Sequence, residues 1–213
     1  MSARRAPVPT RRTPISRRNK AVVAALAAAL LAGPGVAQAI PQTAPASQAQ
    51  VKAASITWTL ERASNPTQDQ RTAYDLITRA MNAAVARYNN LSDLGKSITV
   101  RYVPGVPTAD ANMNGTIRFG SNRSYMNERT ALHEISHTVG VGLSAGWSRL
   151  GGSGTWTGAQ ATALVKQYDG PGAKISTGGQ HFWPYGLNYD NEFSNTAADR
   201  HVRIVAAMVR DGM

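Results

Sequence analysis

The chain has 213 residues, 23 Lys and Arg against 12 Asp and Glu, a formal charge of +11 and no cysteine. Lacking cysteine, it has no disulfide, no thiolate metal ligand and no Cys nucleophile. The basic excess is concentrated: seven Lys and Arg and no acidic residue fall within residues 1–39, which leaves 16 basic against 12 acidic residues beyond them. The remainder is near +4 without a dense Lys/Arg run, so the high pI is no argument for nucleic-acid binding.

Taken in chain order, residues 1–20 are basic, Ala21 to Ala32 form a short apolar run, and Ala37-Gln38-Ala39 offers small residues for cleavage. This pattern reads as a secretory signal peptide over 1–39, because a membrane span needs about 20 apolar residues. Ser16-Arg17-Arg18 resembles the start of a twin-arginine signal, but Lys20 and Ala21 stand where larger apolar residues belong. The general secretory route, and a secreted or extracytoplasmic protein with no stable membrane anchor after cleavage, is the expectation. Residues 40–53 are rich in Ala, Gln, Pro and Ser and read as a linker or short pro-segment. Residues 54–213 suit one domain, expected to be a monomer.

Within that domain, Ile56, Trp58 and Leu60 alternate with polar residues and predict a strand. Asn65-Pro66-Thr67 opens a helix whose apolar positions, from Ala73 to Tyr88, follow the i, i+3, i+4, i+7 rule and which ends at Asn89 and Asn90. Ile98, Val100 and Tyr102 predict a second strand, expected to lie parallel to the first across that helix. Val106 to Gly115 reads as loop. Thr116 to Phe119 reads as a short third strand and a candidate sheet edge. A helix starting between Ser124 and Asn127 is expected to run to Val139. Leu143 to Thr157 is Gly- and Ser-rich and reads as loop, Gly158 to Tyr168 as a short helix, and Asp169 to Gln180 as another loop. Ser194 is a plausible N-cap for a last helix carrying Ala198, Val202, Val205 and Val209 on one face.

The residues with most chemistry in them are His133-Glu134-Ile135-Ser136-His137. On a helix, positions i and i+4 share a face one turn apart, so His133 and His137 can aim two imidazoles at one metal ion. Glu134 then stands where it can take a proton from a water on that ion. With no thiolate available, the remaining candidates for a third ligand are His181, in an aromatic segment after a Gly-rich loop, and, as alternatives, Glu192 and Asp190. His201 falls beside the apolar stripe of the last helix and reads as a core histidine before it reads as a ligand.

The motif, together with the preceding order of strands and helices over about residues 55–140, resembles the zincin metallopeptidases. His133 to Gly140 also matches the first eight positions of the metzincin signature, His-Glu-x-x-His-x-x-Gly. Leu143 stands where that family carries its third ligand, and no methionine occupies the expected Met-turn. The resemblance implies an α+β, zincin-like fold: a small twisted mixed sheet with a crossover helix, an active-site helix, and an irregular C-terminal part ending in a helix. It also implies Zn2+ and hydrolysis of an extended peptide or protein substrate by Glu134-assisted attack of a zinc-bound water. Tyr185 and Tyr189 are candidate donors to the oxyanion, and Asp169 or Asp190 candidate partners for a ligand imidazole. Two other functions are compatible with these residues. One is a non-catalytic metal-containing module that binds carbohydrate or protein through Trp147, Trp156, Phe182, Trp183, Tyr185 and Tyr189. The other is a metal-dependent amidase acting on cell-wall peptides.

Overall fold

The computed structural model describes residues 55–213; the expected signal peptide and linker lie outside the described residues. These residues form an α+β fold with a small mixed sheet and five α-helices. Strand β1 (Ile56–Leu60) and strand β2 (Lys96–Tyr102) pair in parallel, as expected for strands joined by a long helix. That helix, α1 (Gln68–Leu91), starts at a capping box in which the Thr67 hydroxyl accepts from Gln70 N and the Gln70 side chain accepts from Thr67 N. Its buried side, from Ala73 to Tyr88, is the periodic stripe read from the sequence.

The sheet departs from expectation at its edge. Strand β3 (Ala109–Ala111) folds back antiparallel on strand β4 (Thr116–Phe119), and the order is β1-β2-β4-β3. The third strand of the sequence reading is therefore internal, pairing with β2 on its other side. The edge is built from the segment read as loop. Asn112 Oδ1 accepts from both Asn114 N and Thr116 N, and Gly115 takes a φ of +88°, so a tight turn returns the chain. With only three residues and no alternating apolar pattern, β3 leaves no periodic signal.

Helix α2 (Glu128–Thr138) carries the motif. Asn127 caps it by accepting from Thr130 N, and every residue from Arg129 to Thr138 is buried. It packs against α1 on one side and against the last helix, α5 (Asn195–Arg210), on another. Ser194 caps α5 as expected, and α4 (Ala159–Asp169) begins just after Gly158.

Two segments read as loops contain structure. Ser144 caps a short helix, α3 (Ala145–Gly151), which exists because Trp147 is buried against Trp156. Strands β5 (Ser176–Gly178) and β6 (His181–Trp183) form a hairpin. In both, tertiary burial of aromatics overrides a sequence rich in Gly and Ser. Among the described residues, no helix is long and apolar enough to cross a membrane.

Candidate metal centre

His133 and His137 lie one turn apart on α2, and their Nε2 atoms face each other at 3.2 Å. Both Nδ1 positions are taken: His133 Nδ1 donates to the carbonyl of Gly186 and His137 Nδ1 to that of Val141, each at 2.8 Å. With the ring proton on Nδ1, each Nε2 presents a lone pair towards the other across 3.2 Å, an arrangement that could hold a cation. Two nitrogens on one tetrahedral zinc, each about 2.0–2.1 Å from the ion, lie about 3.3 Å apart.

His181, at the start of β6, joins them. Its ring stacks on His133 at 5.2 Å between centroids and meets His137 edge-on at 5.9 Å. One nitrogen from each of the three imidazoles falls within 4.8 Å of the others, a set that could hold a metal ion. Burial is the main cause depressing the pKa of all three rings, most strongly for His133, and so favours the neutral form, the one that ligates. A donor set of three imidazoles suits zinc, copper or nickel more than calcium or magnesium.

Long-range packing places His181. Gly142, with φ +74°, lies so close to Gln180 that a Cβ there would sit 2.4 Å from the Gln180 Cβ. Trp147 Nε1 donates to the carbonyl of Gly179 at 3.2 Å, so α3 fixes the hairpin tip from below. The turn that follows α2 both returns the Val141 carbonyl to His137 and leaves room for the hairpin that carries the third imidazole.

The alternatives for the third ligand have other work. Glu192 Oε1 accepts from Trp183 Nε1 at 3.2 Å, and its Oε2 accepts from Asn188 N at 2.8 Å. Asp190 pairs with Arg129 at 2.8 Å. Asp169 accepts from the Tyr185 hydroxyl at 2.6 Å and pairs with Arg200. The expectation that Asp169 or Asp190 orients an imidazole therefore gives way to main-chain carbonyls. Tyr185 is likewise not brought to the centre. Its hydroxyl is bound by Asp169 and Arg200, and it is absent from the cleft lining. His201 is sealed in the core, donating from Nδ1 to the Tyr185 carbonyl and lying 3.1 Å from the Tyr88 hydroxyl.

The three imidazoles form part of the wall of a cleft of about 400 Å³, which Glu134, Tyr189 and the edge strand residues Ala109 to Ala111 also line. Tyr189 is 63 % exposed at its mouth. Glu134 is buried, and its carboxyl is pushed up to about 8, first by burial and then by Asp110, with Arg129 opposing. A carboxyl in this setting exchanges protons near neutral pH. The sequence reading missed Arg129, Asp110, Tyr125 and Asn188, which also line the cleft. None carries a motif; only Arg129, an arginine on the same helix face as His133, was open to notice. No family model, curated protein or solved structure matches the chain.

Proposed function

We propose that this chain is a secreted zinc-dependent peptidase of zincin type. The observation that carries the reading is the convergence of His133, His137 and His181 beside a buried Glu134, in a cleft bounded by a sheet edge. Zinc held by the three imidazoles supplies a Lewis acid that acidifies water towards a pKa of about 7 and polarises a carbonyl. An extended peptide lies along β3 and adds main-chain hydrogen bonds to its open side. Glu134 takes a proton from the attacking water as its oxygen bonds to the scissile carbon. It then delivers that proton to the nitrogen as the C–N bond breaks. Tyr189, exposed at the cleft mouth, is the phenol that donates to the tetrahedral oxyanion. Burial of Trp147, Trp156 and Phe182 in the core argues against an aromatic carbohydrate platform.

The test is metal analysis of the purified chain combined with cleavage of a pool of unstructured peptides. One zinc per chain, and cleavage that a chelator abolishes and zinc restores, are the expected results. A chain that takes up no zinc, or a Glu134→Ala variant that cleaves as fast as wild type, would sink the reading.

A further inference from the structure

Arg129 lies one turn before His133 on the same face of α2, is 5 % exposed, and lines the cleft. Its Nη1 donates to the carbonyls of Leu187 at 3.1 Å and Asn188 at 3.3 Å, its Nε donates to Asp190 at 2.8 Å, and its guanidinium lies over the Tyr125 ring. His133 donates to the carbonyl of Gly186. Three consecutive carbonyls, 186 to 188, are thus held by two side chains from one helix face. The segment they hold does not favour this shape by itself. Tyr185 and Leu187 have φ of +68° and +55°, a region in which side chains with a Cβ are strained and which persists only when the surroundings enforce it. Gly186 leaves no room for a side chain, since a Cβ there would lie 1.9 Å from the Phe182 carbonyl oxygen.

We propose that Arg129 is a positioning residue for the metal centre. By clasping the carbonyls of Leu187 and Asn188 it sets where the adjoining Gly186 carbonyl meets His133 Nδ1, and so fixes the tautomer and aim of the first ligand. The Asp190 carboxylate, 69 % exposed, steadies the guanidinium but is not what orients the imidazole. Arg87 is the matched comparison. It ties the first turn of α2 to α5 through Glu128, Asp199 and Asn195, and touches neither the carbonyl run nor the ligands.

The inference rests on the three imidazoles holding a metal, and the experiment separates the two. In the full chain, zinc affinity is measured by competition with a chromophoric chelator, and the His133 Nδ1–H resonance is followed by NMR without metal. Arg129→Gln is expected to weaken zinc 10–100-fold, the usual scale for partners behind a ligand, and to lose the protected Nδ1–H signal. Arg87→Gln at comparable thermal destabilisation and Asp190→Asn are expected to stay within about twofold of wild type in zinc affinity, with the signal kept. Partial recovery in Arg129→Lys, which restores the charge without the fork, supports the clasp. An Arg129→Gln chain that keeps the Nδ1–H signal, or loses no more zinc affinity than Arg87→Gln, overturns it; so does Asp190→Asn weakening zinc equally. If wild type binds no zinc, the peptidase reading fails, and the NMR comparison still decides the clasp.

Discussion

Helix α2 and the hairpin of β5 and β6 supply imidazoles to one centre by opposite means. On α2, four residues of helix bring His133 and His137 to one face, and any well-capped helix would do the same. His181 sits on a three-residue strand whose position depends on Trp147 below it, on the closeness of Gly142 to Gln180, and on Glu192 bracing the following turn. The contrast shows where the centre is robust and where it is fragile. The helix half persists as long as α2 is folded, because the helix packs against α1, α5 and the sheet and leaves only its ligand-bearing face on the cleft. The hairpin half depends on several contacts between segments far apart in the chain.

This difference can be broken or sharpened by substitution. The largest effect is expected on the helix side, where the proposed mechanism puts the proton transfers. Glu134→Gln, close in shape, should lower turnover about 10²–10⁴-fold while zinc content stays at wild-type level, read by cleavage kinetics alongside metal analysis. Removal of the hairpin imidazole comes next. His181→Ala should weaken zinc by more than the 10–100-fold typical of outer partners while leaving the helical circular dichroism intact. Unchanged zinc binding in that variant would mean that the helix pair recruits another ligand.

A third comparison sets His181 against His201, twenty residues on, which ended in the core. Burial drops the His201 pKa from 6.5 to about 4. The unfolded chain therefore takes up a proton below about 6.5 that the folded chain refuses until about 4. Stability from this group is present above the unfolded value and is lost as pH falls through that window, levelling off below it. The shift corresponds to about 3 kcal/mol. Urea titrations from pH 7 to pH 4 should show a shallower loss of stability in His201→Gln than in wild type; parallel slopes would show that this histidine does not carry the acid sensitivity. The smallest effect is expected from Gly142→Ala. The added methyl meets Gln180 and the positive φ resists it, so stability should fall by about 1–3 kcal/mol. Zinc affinity should fall with it, since the hairpin is pushed away from α2; chemical denaturation and chelator competition report the two parts separately.

The elements that were legible beforehand are those whose signal lies within about a dozen residues. The stripe on α1 and its opening at Asn65-Pro66-Thr67, the Ser194 cap, the alternation in β1 and β2, and the i, i+4 spacing of His133 and His137 all fall in this class. The edge strand β3 and helix α3 were read as loops, because a three-residue strand has no period and α3 owes its existence to one buried tryptophan. Tyr185 looked like a donor only while the chain was linear. The Asp169–Arg200 pair holds its hydroxyl elsewhere, whereas Tyr189, four residues on, lines the cleft.

By itself, then, the amino-acid sequence determined two imidazoles and a carboxyl on one helix, since covalent spacing and the 3.6-residue turn leave no other arrangement once α2 forms. It also narrowed the third ligand to His181, Glu192 or Asp190. The tertiary structure alone decided the rest: His181 joins them, the Gly186 and Val141 carbonyls orient the two helix-borne rings, and Arg129 clasps the segment between. The reason is that a main-chain carbonyl is the same chemical group at every position. Which carbonyl meets the His133 imidazole depends on packing between segments 53 residues apart, and no local pattern of side chains encodes that meeting.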